Sequence, residues 1–266
     1  MQQTYKRKGE LHMTNLRIGI TEQGDAGLDF LWYQKCLTNQ VQGAILITKN
    51  LNDTFIEKVL KLNNLNFPII IHATCTGWGG SIIEPNVPDY KTQLKQLEKL
   101  ITKGFPLEQC VLRIDPIFPT TSGIKRVSEV LEYATSLRLL PQMRIRISVL
   151  DEYRHVKDRL ETLGFRPIYG DKLYAPKDMM SQLIEMLDFY DLQFECCAEP
   201  YLVNKNQFIH QGCISQRDLH IMGFPAKDMP INPQNRNGCQ CLSCKTELLN
   251  NKHRCDHKCA YCYWKD

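Results

Sequence analysis

The sequence predicts an α/β fold: a (β/α) barrel, full or partial, of about six βα units, followed by a cysteine-rich metal-binding tail. Short β-branched runs alternate with segments of helical periodicity, which is the pattern of parallel strands joined by helices. No glycine-rich dinucleotide turn follows a strand, which argues against a doubly wound sheet. The tail is predicted by its cysteines, because six of the twelve in the chain lie after residue 238.

The predicted strands are short apolar runs, LRIGI, GAILI, PIIIHA, CVLRI, RIRISVL and LQFECCA, at 16–20, 43–47, 68–73, 110–114, 144–150 and 192–198. Helical spacing of apolar residues predicts helices between them, at 54–62, 90–102, 124–137, 153–163 and 176–190. After about Gly223 the sequence FPAKDMPINPQNRNG is rich in proline and asparagine, which predicts an extended loop.

These elements divide the chain into a disordered N-terminal arm (1–15), a barrel domain (16–223) and the cysteine-rich tail (224–266). The tail has too few aliphatic residues to fold by burial alone, so we expect a bound metal to stabilise it. We also expect the tail to fold over the C-terminal face of the barrel, because the last barrel strand ends there. Barrel enzymes keep their active sites on that face.

The polar N-terminal sequence MQQTYKRKGELHMTN does not have the apolar core of a secretory signal. No apolar run approaches the roughly 20 residues that a membrane span needs. We therefore expect a cytoplasmic protein with no membrane partner. Because the cytosol keeps thiols reduced, clustered cysteines favour metal binding over disulfides.

Polar residues gather where the predicted strands end, which is where a barrel places its catalytic groups. Each also has a structural interpretation, such as an ion pair, a solvated lysine or a helix cap. Their repeated occurrence at one end of the strands favours a functional site. The candidate catalytic residues are Lys49, Arg113, Asp115 and Glu199, and the candidate cofactor-binding loop contains Thr76, Gly77, Gly79 and Gly80.

Near its end the chain carries Cys255, Cys259 and Cys262, spaced C-x3-C-x2-C. Three chemistries compete for these thiols. Zinc would take four thiolates, or thiolates with His253 or His257, in a closed tetrahedral site. An iron–sulfur cluster with four thiolates would be structural or carry electrons. A [4Fe–4S] cluster on three cysteines would leave one iron open.

The open cluster explains the C-x3-C-x2-C spacing best. Its free iron can chelate S-adenosylmethionine, and one electron would then release a 5′-deoxyadenosyl radical. Tyr261, immediately before the third cysteine, is the candidate aromatic contact for the adenine. We expect Cys239, Cys241 and Cys244 to ligate a second metal or to brace the tail, and dispersal of the six cysteines over distant sites would contradict a single metal-binding tail.

The tail, with the segments EPNVPD, RIDPI, AEP and GCISQ, resembles a bacterial family named domain of unknown function 1848. The resemblance covers about Gly43 to Trp264, and the closing C-x-C…C-x3-C-x2-CY is its most specific part. It implies a radical S-adenosylmethionine protein, nearest to the spore photoproduct lyase branch. It further implies that Cys255, Cys259 and Cys262 hold the cluster, and it matches Cys239 and Cys241 to the C-x-C pair of the family.

Two features depart from the family pattern. A serine stands in the family where this chain has Cys244, and an S-R-R-T-D stretch stands where this chain has GITEQGD at Gly19–Asp25. The three cluster cysteines also follow the last strand, whereas in most radical enzymes they follow the first. The ends of a closed barrel are neighbours, so a motif at either end of the chain can occupy the same space.

The sequence thus favours a radical S-adenosylmethionine enzyme that acts on an unknown substrate and takes electrons from a flavodoxin- or ferredoxin-like donor. One alternative is a zinc-stapled barrel protein that binds nucleic acid through the basic residues Lys252, Arg254 and Lys258. Such binding would be sensitive to salt. The other alternative is a redox protein with a closed iron–sulfur cluster.

Overall fold

The structure is a computed structural model and describes residues 16–196, 198–199, 201–202, 207–225, 229–231 and 238–264. The predicted N-terminal arm and most of the predicted loop after Gly223 lie outside these residues. All six predicted strands and all five predicted helices are present, with ends that differ from the predicted ones by a few residues at most.

Eight parallel strands form one sheet, in the order β7-β6-β5-β4-β3-β2-β1-β8. Sequential strands are neighbours from β1 to β7, and β8 returns to pair with β1. Closure into a barrel would require β7 to pair with β8, and no such pair occurs among the described residues. The strands are β1 (Ile18–Ile20), β2 (Gly43–Thr48), β3 (Ile69–Thr74), β4 (Cys110–Ile117), β5 (Arg144–Val149), β6 (Phe194–Cys196), β7 (Phe208–His210) and β8 (Lys245–Glu247).

Helices connect most of the strands, and several of them begin at a capping side chain. Asn52, Asp89 and Thr120 each accept a hydrogen bond from a backbone N–H of the first turn, which stabilises the helix start. The helices are α1 (Leu31–Leu37), α2 (Asp53–Asn64), α3 (Tyr90–Thr102), α4 (Thr121–Ser136), α5 (Arg154–Thr162), α6 (Lys177–Asp188) and α7 (Gln216–Ile221). Within the described ranges, no helix is both long and apolar enough to cross a membrane.

The two faces of the sheet differ in chemistry. One face is apolar and packs on the helices through residues such as Leu46, Leu112 and Ile147. The other face is apolar over β1 and β2, where Ile18, Ile20, Ile45 and Ile47 lie, and at Ile70 and Val111 near the starts of β3 and β4. Over β3 to β6 this second face carries polar side chains, and we call these residues the polar face: His72, Thr74, Arg113, Asp115, Arg144, Arg146, Ser148 and Glu195.

Helix α7 and the segment around 239–244 cover the amino ends of the strands. Met222 and Phe224 lie against Gly43, the first residue of β2. The carbonyl of Cys244 accepts a hydrogen bond of 2.8 Å from the backbone N–H of Ile18, the first residue of β1. The chain then enters the sheet as β8, which we did not predict. The Cys-rich region is therefore not one layer over the C-terminal face, because pairing of β8 with β1 places Cys244 at the amino end.

Candidate functional site

Glu84 is the centre of a buried network at the carboxyl ends of β2 and β3. Its carboxylate accepts hydrogen bonds from Lys49 Nζ at 2.9 Å and from Thr76 Oγ1 at 2.8 Å. The hydroxyl of Tyr261 donates to the same carboxylate, and Lys49 Nζ lies 5.3 Å from the centre of the Tyr261 ring. The network thus brings together three residues that the sequence assigned to the site, around a fourth that it did not.

The charges of this network hold one another in the ionised state. Burial opposes ionisation of Glu84, but Lys49 and the donors from Tyr261 and Thr76 outweigh it, and the pKa of Glu84 lies below its ordinary value. Burial likewise opposes the charge on Lys49, yet Glu84 raises its pKa. The pKa of Tyr261 is raised well above its ordinary value by burial and by Glu84, so its hydroxyl stays protonated and donates.

Tyr261 is also fixed by aromatic packing. Its ring centre lies 5.6 Å from that of Phe118 in an edge-on contact, and Trp78 packs on Phe118 at 5.5 Å. Such pairs of rings add roughly 0.5–1.5 kcal/mol to the energy of their burial. The phenol predicted to contact an adenine is therefore already held by protein groups, with its hydroxyl on Glu84.

Hydrogen bonds that each involve a backbone group hold residues 256–263 against the loops after two strands and against α5. Ala260 N–H donates to the carbonyl of Ile83 at 2.9 Å, and Arg159 Nε donates to the carbonyl of Ala260 at 2.8 Å. Asp151 N–H donates to the hydroxyl of Tyr263 at 2.8 Å. Because these loops follow β3 and β5, the last part of the tail lies at the carboxyl ends of the strands.

His257 anchors the same segment through both of its ring nitrogens. Nε2 lies 2.9 Å from Asp25 Oδ2, and Nδ1 lies 3.2 Å from the carbonyl oxygen of Asn86. Asp25 also accepts from Thr48 Oγ1 at 2.6 Å and from Lys49 N–H at 2.7 Å. Burial opposes ionisation of Asp25, but His257 and the other donors hold the pKa of its carboxyl below its ordinary value. Both nitrogens of His257 therefore face protein oxygens.

Cys255, Cys259 and Cys262 lie near one another in this segment. Cys259 is buried and the other two are partly exposed. Burial raises the pKa of Cys259 to about 12, the Lys49 ammonium opposes this, and Glu84, Cys262 and Cys255 add to it. In the described part of the chain, no group of three or more His, Cys, Asp and Glu side chains is arranged to hold a metal ion. The three thiols are thus neighbours and do not form a preassembled ligand set.

The other three predicted metal ligands, Cys239, Cys241 and Cys244, pack in a separate cluster with α7 and the apolar residues of β1 and β2. The backbone N–H of Cys213 lies 3.2 Å from Cys241 Sγ. Hydrogen bonds with the Cys213 and Cys239 thiols, together with burial, raise the pKa of Cys241. The six tail cysteines are therefore dispersed over opposite ends of the sheet, and a single six-cysteine site does not form.

The remaining predicted catalytic residues each have a protein partner. Arg113 and Asp115 form a partly buried ion pair, with Nε and Oδ2 at 2.8 Å. Glu199 is buried and accepts from Ser148 Oγ at 3.1 Å and from Val149 N–H at 2.8 Å. All three lie toward the carboxyl ends of their strands. They line the same edge as the Glu84 network, and the charge of Asp115 contributes to the raised pKa values of Lys49 and Tyr261.

The glycines of the predicted cofactor loop are required by the packing of the loop itself. A Cβ on Gly79 would lie 2.1 Å from the carbonyl oxygen of Pro88, and one on Gly77 would lie 2.7 Å from Arg126 Cβ. Gly77 and Gly80 have φ of 82° and 77°, which favours glycine. Of these three glycines, only Gly80 has no atom within 4 Å of the place where a Cβ would lie. The loop folds tightly so that it delivers Thr76 and Glu84 to the network.

Sequence reasoning did not assign Glu84, Asp25, Arg144, Arg146 or Asp218 to the site. Asp218 accepts from Arg144 at 2.7 Å, and Arg146 Nη2 lies 2.6 Å from Glu195 Oε2. The alternation R-I-R-I in β5 was the available signal, because it places two arginines on one buried face. Glu84 gave no such signal, since it lies in a loop eight residues after Thr76.

One comparison with known proteins supports the resemblance to the family named domain of unknown function 1848. A search of the curated proteins finds no match. The family model described as Domain of unknown function (DUF1848) matches residues 30–264, which is most of the chain and includes the Glu84 network and the cysteine segment. The chain therefore belongs to the DUF1848 family.

Proposed function

We propose that the protein is a radical S-adenosylmethionine enzyme whose [4Fe–4S] cluster is held by Cys255, Cys259 and Cys262. The observation that carries the proposal is the position of these thiols. They are neighbours at the carboxyl edge of a parallel sheet, where α/β enzymes bind their ligands, and charged groups meet beside them. The relation to radical enzymes in general, and to spore photoproduct lyases in particular, is part of this proposal.

The donor chemistry of the segment fits iron–sulfur ligation better than zinc. Three thiols lie together, and His257, which stands between Cys255 and Cys259 in sequence, has both nitrogens directed at Asp25 and Asn86. Cys239, Cys241 and Cys244 cannot complete a tetrahedral set with these thiols, because they lie at the amino ends of the strands. A three-thiol set leaves one iron of a cubane without a protein ligand.

The cluster, when bound, would pass one electron from a flavodoxin- or ferredoxin-like donor to S-adenosylmethionine, which would release the 5′-deoxyadenosyl radical. Glu84 fixes Lys49 and Tyr261 close to Cys259, so a cation and a phenol ring would stand beside the proposed cofactor. Arg113, Asp115 and Glu199 would line the substrate pocket. We further propose that the sheet forms a partial (β/α) barrel with free edges at β7 and β8.

Metal and sulfide analysis of anaerobically purified protein tests the cluster. We expect about four irons and four sulfides per chain, in line with a [4Fe–4S] cluster. Cys259→Ser should lose most of the iron because it removes one of three ligands. Cys36→Ser is the matched control, since Cys36 is also a buried thiol but lies on α1 within the apolar core. It should keep the wild-type iron content.

Other outcomes would overturn the proposal in distinct ways. Stoichiometric zinc without sulfide would indicate that zinc stabilises the fold of the tail. The nucleic-acid alternative would then be tested by salt-dependent binding. Iron loss in Cys239→Ser but not in Cys259→Ser would place the cluster at the amino ends of the strands.

A further inference from the structure

Three buried polar atoms on the polar face have no hydrogen-bond partner among the described residues. They are His72 Nδ1, Thr74 Oγ1 and Arg144 Nη1. A buried polar group without a partner is destabilising, and a charged group is more so. His72 and Thr74 lie two residues apart on β3 and therefore share a face. Arg144 reaches the same face from β5, where it bonds Glu195 and Asp218.

The proton on His72 can be assigned from its neighbour. Arg146 Nη1 lies 3.4 Å from His72 Nε2, and a guanidinium group only donates, so Nε2 is the acceptor and is unprotonated. The proton of the neutral ring is then on Nδ1. Burial and Arg146 lower the pKa of His72 well below its ordinary value, which agrees with a neutral ring. The unpartnered Nδ1 is therefore a donor.

The missing partner is consequently an acceptor. His72 Nδ1–H and Arg144 Nη1–H can only donate, and the Thr74 hydroxyl can donate. The carboxylates of this face already accept from guanidinium groups: Glu195 from Arg144, Arg146 and Arg217, Asp218 from Arg144, and Asp115 from Arg113. Hydrogen bonds from a guanidinium are strongest to an anionic oxygen.

The polar face also reaches solvent. The side chains of Arg113 and Asp115 on β4 are 17% and 15% exposed, whereas those of Arg146 and Glu195 are 1% exposed. Thr74 is the register partner of Arg113 on the neighbouring strand. A small ligand that entered beside Arg113 would therefore meet Thr74 next.

We propose that the polar face binds an oxyanion, the carboxylate or phosphate group of a small molecule, with Thr74 Oγ1–H, His72 Nδ1–H and Arg144 Nη1–H as its donors. As a statement about the substrate, that it carries such a group, this inference rests on the function proposed above. The binding itself requires neither the cluster nor S-adenosylmethionine.

Calorimetric titration of the full chain with inorganic phosphate and with acetate, at constant ionic strength in chloride, tests the site. We expect at least one of the two anions to bind. Thr74→Val should weaken that binding about tenfold, because it removes one hydrogen bond to a charged acceptor. Thr74→Ser keeps the hydroxyl and should bind like the wild type. Thr21→Val is the matched control, because the hydroxyl of this buried threonine already bonds Ile47.

Thermal unfolding without added anion gives an independent readout. Because the Thr74 hydroxyl has no partner in the described structure, Thr74→Val should not lower the melting temperature of the unliganded protein. Absence of binding for both anions, or equal binding by wild type and Thr74→Val, would overturn the proposal and leave the face to buried water. Iron content and the response of the cluster to S-adenosylmethionine, measured on the same samples, judge the proposed function separately.

Discussion

At the scale of single residues, Glu84 determines how the carboxyl edge is assembled. It binds a lysine that follows β2, a threonine that follows β3 and a tyrosine from the tail, so one carboxylate joins three parts of the chain. Its side chain is fully buried and that of Lys49 is 15% exposed. A buried ion pair of this kind is costly to break from one side, because the remaining charge is left without compensation.

Glu84→Gln is therefore expected to lower the free energy of unfolding by about 3–5 kcal/mol. The amide keeps the size of the side chain but not its charge, so Lys49 remains buried without a counterion. Urea unfolding followed by circular dichroism measures the change. Glu57→Gln is the matched control, since it breaks the exposed pair with Lys61 and should leave the unfolding midpoint unchanged. An unchanged midpoint for Glu84→Gln would show that the network is not formed in solution.

The sequence predicted part of this network for a clear reason. Lys49 and Thr76 each follow a strand, and Tyr261 stands beside a cysteine of the motif. Such positions can be recognised from the neighbouring sequence. Glu84 and Asp25 act through partners far along the chain, Tyr261 and His257, and no local pattern records such a contact. The functional role of all these residues stays a proposal.

At the scale of elements, α7 neutralises the arginines of β5 from the amino ends of the strands. Ser215 and Asp218 form a capping box at the start of α7, and the same Asp218 carboxylate accepts from Arg144. Burial opposes ionisation of Asp218, but Arg146 and Arg144 hold its pKa below the ordinary value of 3.8. When the pKa of a carboxyl is lower in the folded than in the unfolded state, the group stabilises the fold at every pH above the pKa of the unfolded state. This stabilisation is lost as the pH falls to the pKa of the folded state.

Asp218→Asn should therefore destabilise the protein by about 3–5 kcal/mol near neutral pH. The difference between wild type and variant should narrow once the pH falls below the ordinary carboxyl pKa of 3.8, because the unfolded wild type then takes up a proton that the folded protein binds only at lower pH. Urea unfolding of both proteins across this range measures the difference. A constant difference at all pH values would mean that the charge of Asp218 contributes nothing.

Close packing of two segments forms the second thiol cluster. A Cβ on Gly212 would lie 2.5 Å from the carbonyl oxygen of Gln240 and 2.6 Å from the backbone nitrogen of Cys241. Both are backbone atoms, so Gly212→Ala forces the segments apart. We expect a loss of about 1–3 kcal/mol in stability and faster reaction of the Cys213 and Cys241 thiols with a thiol reagent.

Native-state thiol labelling with mass-spectrometric identification of the labelled cysteines measures this effect. Gly104→Ala is the control for backbone strain, because its φ of 98° disfavours alanine while a Cβ there meets nothing within 4 Å, and the position is remote in sequence from Cys213 and Cys241. It should leave the labelling rates of Cys213 and Cys241 unchanged. Equal labelling rates in Gly212→Ala and wild type would contradict the close packing.

Elements were predictable where their apolar residues formed a local pattern. Helix α3 was predicted at its observed ends, and β2 to β5 are β-branched runs that any parallel sheet would bury. The short strands β7 and β8, with sequences FIH and KTE, have no such pattern. Their strand conformation depends on pairing with β6 and β1, which only the tertiary structure supplies.

At the scale of the whole molecule, the order of the sheet predicts an uneven stability. Strands β2 to β5 have a neighbour on each side, whereas β7 and β8 end the described sheet. Hydrogen exchange followed by mass spectrometry should find slow exchange in β2 to β5 and faster exchange in β7 and β8. Equal protection of β7 and β3 would instead indicate that the sheet closes into a full barrel.

The tail shows why the global arrangement was only partly predictable. Spacing distinguishes the C-x3-C-x2-C group from the three cysteines before it, but it does not tell where each group lies. The answer depends on β8, which passes along β1 between the two groups and so separates them by the length of a strand. Composition alone predicted one metal-stabilised layer.

The most direct test of the central claim is electron paramagnetic resonance of the reduced, anaerobically purified protein, recorded with and without S-adenosylmethionine. We expect a [4Fe–4S]⁺ signal that shifts when S-adenosylmethionine is added, because the cofactor would bind the iron that no cysteine holds. The shift should disappear, together with the cluster, in Cys259→Ser. A cluster signal that S-adenosylmethionine leaves unchanged would contradict an open cluster and would favour a closed one that serves redox or structure.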